Sequence, residues 1–229
     1  MTIDVKDVNR ALRRTLWPAV KARGFQFRTD RAAWRYLDDA VDLIDIQSVG
    51  SGADAVGCTS FSFSAYAGTL PTFMGTGIAG SRRGIPSEMP KSRPHYWDTQ
   101  LQFGIEKTLH QPWFEPFANP PAPTTPAPIL IHREALKQVI RRDRHDRPDI
   151  WFVLPDGSNL DEVAGDLATA VLTQAIPLLD RMHEPCELLG LIEGGRFVRV
   201  DSPVGRDLAN KARQVCASGR DHVTFGVAD

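Results

Sequence analysis

The 229-residue chain has few cysteines, no long apolar run and almost no net charge. Its three cysteines, Cys58, Cys186 and Cys216, are odd in number and widely spaced, a usage that a reducing compartment permits. No uninterrupted apolar stretch approaches the roughly 20 residues needed to cross a bilayer. Met1 to Ala11 carries charges at short intervals, so no secretory leader is expected there. A formal charge of -1 gives no global pull toward nucleic acid or an anionic membrane. These absences together predict a cytoplasmic protein.

The strong chemical motifs are missing as well. The chain contains no HExxH, no P-loop lysine pattern, no GxSxG elbow and no pair of CxxC motifs. Zinc hydrolysis, nucleotide hydrolysis and serine esterase activity therefore lack their usual signals. Gly75-Thr76-Gly77-Ile78-Ala79-Gly80 matches the dinucleotide-binding pattern by letter, but Ser81-Arg82-Arg83-Gly84-Ile85-Pro86 follows it. That is a poor start for the helix whose N-terminus would hold a pyrophosphate, so a loop is expected, with an anion site made by Arg82, Arg83 and the loop amides as the alternative. His183 and Cys186 stand three apart without a second close pair, and no metal site is expected. No catalytic residue, cofactor or metal is assigned.

What is present predicts an α+β fold: a mainly antiparallel sheet, a meander plus added strands, with helices packed on one face. With 42% hydrophobic and 24% charged residues the chain can bury a full core. A single domain, 1–229, is expected, with loop insertions at about 68–94 and 112–128, where glycine and proline or proline and alanine dominate. Gly24 to Ala67 reads as four strands with period-two alternation, separated by Thr29-Asp30, Asp38-Asp39 and Gly50-Ser51-Gly52. Such alternation predicts one wet face.

Asp4 caps a first helix that runs to about Arg23 and ends at Gly24. Val5, Val8, Leu12, Leu16 and Ala19 form its predicted buried stripe, with Lys6, Arg10, Arg13, Arg14, Trp17 and Lys21 opposite. Further strands are expected at His95 to Ile105 and Asp149 to Leu154, and a short basic helix at Arg133 to Arg147. Asn159 and Glu162 have capping-box spacing ahead of a core helix, which Pro177 should bend or end. Leu188 to Ile192 and Arg196 to Val200 suit a hairpin across Glu193-Gly194-Gly195, with a helix-turn as the alternative. A last helix follows Ser202-Pro203, with Leu208, Ala212, Val215 and Cys216 inward.

The helix ending in Gly24-Phe25, Trp34-Arg35, the strand closing on Ile46-Gln47, and Phe61-Ser62-Phe63 together resemble an uncharacterised bacterial family, domain-of-unknown-function family 4304. Asp149-Ile150-Trp151 and Ile176-Pro177-Leu178-Leu179 resemble the later part of such proteins. The resemblance covers about half the chain in two blocks and implies an α+β fold without an established activity. It transfers no catalytic residue.

The polar set that stands out is in the meander: Arg35, Asp45, Gln47 and the serines Ser60, Ser62 and Ser64 occupy strand positions. Arg35, Asp45, Gln47 and Ser62 are the candidate binding residues, either as a solvated face or as the floor of a polar cleft. Arg35 and Asp45 are candidates for an ion pair. The expected function is a non-catalytic binding or protein-interaction module. The alternative is a small hydrolase built from Asp45, Arg35 and a histidine such as His95. Arg133 to Arg147 holds six basic and three acidic residues, whereas Asp149 to Glu187 holds eight acidic residues and one basic residue. Neighbouring segments of opposite sign favour a protein partner, with no nucleic acid and no membrane expected.

Overall fold

The computed structural model describes residues 3–38, 40–50, 53, 58–71, 99, 101–109, 148–196 and 203–218. The loop at 112–128, the helix at 133–147, the Gly75–Gly80 run, and His95, His110, His132, His145 and His222 lie outside the described residues.

Helix α1, Val5–Lys21, begins in a full capping box: Asp4 accepts from the Lys6 and Asp7 amides, and Asp7 accepts from the Asp4 amide. Its buried stripe is Val8, Ala11, Leu12, Leu16, Trp17 and Val20. Trp17 is therefore inward rather than on the basic face, while Val5 is 40% exposed. The stripe drifts round the helix because 3.6 residues per turn, not a fixed four, carries the apolar face from Val8 to Val20. Gly24, at φ +89°, turns the chain toward the sheet.

Among the described residues five strands form one antiparallel sheet in sequential order: β1 Phe27–Arg28, β2 Ala32–Tyr36, β3 Ala40–Ser48, β4 Phe63–Pro71 and β5 Leu101–Gly104. The α+β class and the meander hold. Local chemistry closes the turns among the described residues. Thr29 Oγ1 accepts from the Arg31 and Ala32 amides, and the Leu37 amide bonds the Ala40 carbonyl at 2.8 Å. The Val49 amide bonds the Ser62 carbonyl at 2.8 Å, with Gly50 at φ +68° in the bend.

Several boundaries differ from the sequence reading. β4 runs through Gly68 to Pro71, into the expected loop, because all nine residues of β3 pair with it, from Ala40↔Pro71 to Ser48↔Phe63. Ile150 to Leu154 is not a sheet strand. Among the described residues its β-bridge to the sheet is the isolated pair Phe63↔Trp151, where the two rings stack with centroids 5.9 Å apart. Trp151 Nε1 donates to Asp166 at 2.8 Å.

Helix α2, Leu160–Ala170, has no side-chain cap from Asn159. The Asn159 amide is used elsewhere, donating to the Phe152 carbonyl at 2.8 Å and accepting from the Leu154 amide at 2.9 Å. A π-helical turn, Val171–Ala175, joins α2 to α3, Ile176–Met182. Pro177 explains it. A proline has no N–H, and its ring collides with the carbonyl four residues back in an α ladder, so the preceding turn widens. The Ile176 amide accordingly bonds the Val171 carbonyl, five residues back. The predicted hairpin is instead helix α4, Pro185–Glu193. Pro185 presets the first turn, and Leu188 and Ile192 lie four apart on its buried side. Helix α5 is Pro203–Ala217, with Leu208, Ala209 and Ala212 buried.

The main core joins Ala33, Ile44, Ile46, Phe63, Ala65, Ala67 and Leu101 of the sheet with buried side chains of α1 to α5, and Phe61 packs against it. The opposite sheet face is not wet, contrary to the alternation. Trp34 is 5% exposed and Val41 and Leu43 are fully buried, with Phe27 and Tyr36 packed alongside. No helix among the described residues is long and apolar enough to cross a membrane.

Candidate functional site

The antiparallel register decides which polar residues of the meander can meet. It pairs odd positions of β2 with even positions of β3, so Arg35 stands opposite Asp42 and Ala32 opposite Asp45. Arg35 and Asp45 share parity and fall on opposite faces of the sheet; the expected Arg35–Asp45 pair does not form. Arg35 Nε instead donates to Asp42 Oδ2 at 2.8 Å.

The remaining nitrogens of Arg35 are also used. Nη1 donates to the Arg23 carbonyl at 2.9 Å, just past the end of α1, and Nη2 donates to Asp180 at the end of α3. The guanidinium carbon lies 5.0 Å from the Phe25 ring centroid. Asp42 is fully buried, and its second oxygen, Oδ1, meets His183 Nε2 at 2.9 Å. Asp180 and His183 are three residues apart, so the end of α3 brings both onto one side. The cluster thus joins β2, β3, the exit of α1 and the end of α3.

Its electrostatics follow from depth. Burial works against the charge on Arg35, but Asp42 and Asp180 more than offset this and hold the guanidinium above its ordinary value. The side chain of Asp180 is 54% exposed against none for Asp42, so the network grades from core to solvent. Chemically, a carboxylate fixes both a guanidinium and an imidazole. Asp42 orients His183 as an acid–base pair would be oriented, and the same contacts lock sheet to helix.

The other candidate residues sit apart. Gln47 Nε2 donates to Asp45 Oδ2 at 3.0 Å on the far face, where Asp45 is 6% exposed. Ser62 is fully buried, and its Oγ accepts from the Val153 amide at 2.9 Å, tying 150–154 to the sheet. Ser64 is also buried. The polar floor expected from the sequence is therefore divided among three places.

His183 and Cys186, three apart in sequence, go to different places. His183 turns to Asp42, whereas Cys186 is disulfide-bonded to Cys216, with Cα atoms 5.0 Å apart. Two of the three cysteines thus form a disulfide, and Cys58, which is not part of it, is buried. Among the described residues no group of three or more His, Cys, Asp or Glu side chains is placed to hold a metal ion.

Sequence reasoning missed Asp42, Asp180 and His183. Asp42 had a signal, since a hairpin closed near Asp38-Asp39 sets Arg35 against it. His183 had none, being 141 positions from Asp42. On the surface, the arginines of α1 are paired: Arg10 with Asp7 at 2.8 Å, Arg13 with Asp30 at 3.1 Å, and Arg14 with Asp161. An open groove of about 490 Å³ lies beside α3 and α4, lined by Gln174, Pro177, Leu178, Arg181, Leu191 and Arg196.

No family model, no curated protein and no solved structure matches the chain.

Proposed function

We propose that the protein is a non-catalytic binding module of the bacterial cytoplasm that engages a protein partner, and that it belongs to domain-of-unknown-function family 4304. The observation that carries this reading is the separation of the polar side chains. An enzyme needs several of them converging on one accessible concave site. Here Arg35, Asp42 and His183 are turned on one another in the interior, Asp45 bonds Gln47 on the other face, and Ser62 serves a backbone amide. The groove beside α3 and α4 has apolar walls and two arginines, Arg196 and Arg181, the latter paired with Glu187 at 2.8 Å, and neither a carboxylate nor a histidine among its lining residues. That composition suits an acidic segment of a protein better than a reaction. Pairing of the α1 arginines with carboxylates weakens the case for nucleic acid, which needs free cations along a surface.

One observation favours the enzyme alternative, the Asp42–His183 contact at 2.9 Å. A photo-crosslinking residue at Leu191 tests both readings in a bacterial lysate. The binding module predicts a discrete protein adduct that the R181E/R196E double variant loses. Absence of any adduct, together with ester or phosphoester turnover that His183→Ala abolishes, would establish the hydrolase instead.

A further inference from the structure

Helix α5 is attached differently from the other helices. It packs chiefly on α4, and among the described residues its buried apolar side chains are Leu208, Ala209 and Ala212. Arg213 reaches Glu193 of α4 at 2.7 Å, but both side chains are about half exposed, so this ion pair is screened and holds little. The covalent link between the two helices is the Cys186–Cys216 disulfide. Cys186, at the start of α4, is exposed, and Cys216, in the last turn of α5, is half-buried. A small apolar contact closed by an accessible disulfide is a junction that a soluble thiol can open.

We propose that the Cys186–Cys216 bond is a reversible, thiol-responsive clasp that decides whether α5 stays docked on α4. The reductant is a low-molecular-weight thiol of the glutathione class. Its thiolate attacks the exposed Cys186 Sγ, forming a mixed disulfide and displacing Cys216 as a thiolate that takes a proton from solvent. A second small thiolate attacks the sulfur of the first, releasing Cys186 as a thiolate that is likewise protonated. One protein disulfide is reduced to two cysteines, and two small thiols become one small disulfide. Reduction removes the tether and leaves apolar contacts, those of Leu208, Ala209 and Ala212 among them, to hold the helix, while most side chains of the shared core come from the sheet, 150–154 and α1 to α4. A reversible disulfide is also the kind that a reducing compartment accommodates.

The test uses the full chain, purified without reductant and treated with iodoacetamide before and after exposure to glutathione. Alkylation is read by peptide mass and amide hydrogen exchange is followed in parallel. The clasp predicts no label at Cys186 or Cys216 before the thiol and label at both after it, with buried Cys58 as the internal reference. Exchange in α5 should rise about tenfold or more while β3 is unchanged. The C186S/C216S double variant should show the fast α5 exchange with or without thiol. Label at both cysteines in the untreated protein would overturn the proposal, and so would α5 exchange that ignores the thiol. Exchange in β3 rising in step with α5, or a double variant that fails to fold, would show the bond holding the whole molecule rather than one helix, and would also overturn it.

Discussion

Asp42 and His183, 141 positions apart in the chain, meet at 2.9 Å with the carboxylate fully buried and its other oxygen held by Arg35. One side chain thus connects the second hairpin strand to the end of α3. Such a group is retained only while its partners stay in place, because a buried charge without them carries its full desolvation cost.

Asp42→Ala and Asp180→Ala should therefore differ sharply. Removing Asp42 strands the Arg35 guanidinium in the interior and is expected to cost about 3 to 5 kcal/mol. Asp180 is half exposed and water can replace it, so its loss should cost less than about 1 kcal/mol. Urea midpoints of the two variants check the ordering. Because Arg35 is held above its ordinary value, its contribution is complete below the unfolded pKa and is lost only as pH rises through the folded one, in strong alkali. Arg35 should thus add no pH dependence to stability near neutrality.

Phe63→Ala should cost about 3 to 5 kcal/mol, since the ring is fully buried and stacks on Trp151. Ser62→Ala would be silent on a wet face. With its Oγ accepting from the buried Val153 amide, it is expected to cost about 1 to 3 kcal/mol instead. A denaturant midpoint for Ser62→Ala equal to that of the parent would contradict the buried placement.

Gly68→Ala tests the packing of β4 on β5. A Cβ there would lie 2.5 Å from Thr99 Oγ1 and 2.9 Å from the Leu101 carbonyl oxygen. The threonine can rotate away, but the strand backbone cannot move without disturbing the Thr69↔Leu101 pairing. A loss of about 1 to 3 kcal/mol is expected, whereas Gly104→Ala, with open space around it, should be nearly neutral. Thermal unfolding of the pair measures the difference.

Asp7 gives a test at acid pH. The hydrogen bond from the Asp4 amide leads in stabilising its carboxylate, burial opposes this slightly and Arg10 adds to it, so its pKa is lowered from 3.8. A group lowered on folding contributes stability above its unfolded value and loses it as pH falls through the folded one. Asp7→Asn should lower Tm at pH 7, and the difference from the parent should shrink as pH falls below about 4. An unchanged difference at both ends of the titration would refute the assignment.

Sequence alone determined the features that depend on near neighbours. The helix from Asp4, the turns at Thr29 and Gly50, the antiparallel meander and the final helix after Pro203 each follow from caps, turn residues and periodicity within a few positions. Arg35 was also legible as a residue that needs a partner, because a charged side chain at a strand position calls for one. Which partner it takes was not, since a shift of one residue in register exchanges the faces and would set Arg35 beside different neighbours.

Tertiary structure decided the rest. Alternation in β3 marks two faces, but whether the second is wet depends on what covers it, and here Trp34, Val41 and Leu43 are buried there. The Asn159 side chain resembled a cap and was claimed by the Phe152 carbonyl and the Leu154 amide, because tertiary contacts compete with local ones for the same donor and acceptor. The Asp42–His183 contact and the Cys186–Cys216 bond unite positions far apart in the chain. Loop closure brings such groups together only when the whole core is formed, so no local pattern in the sequence records them.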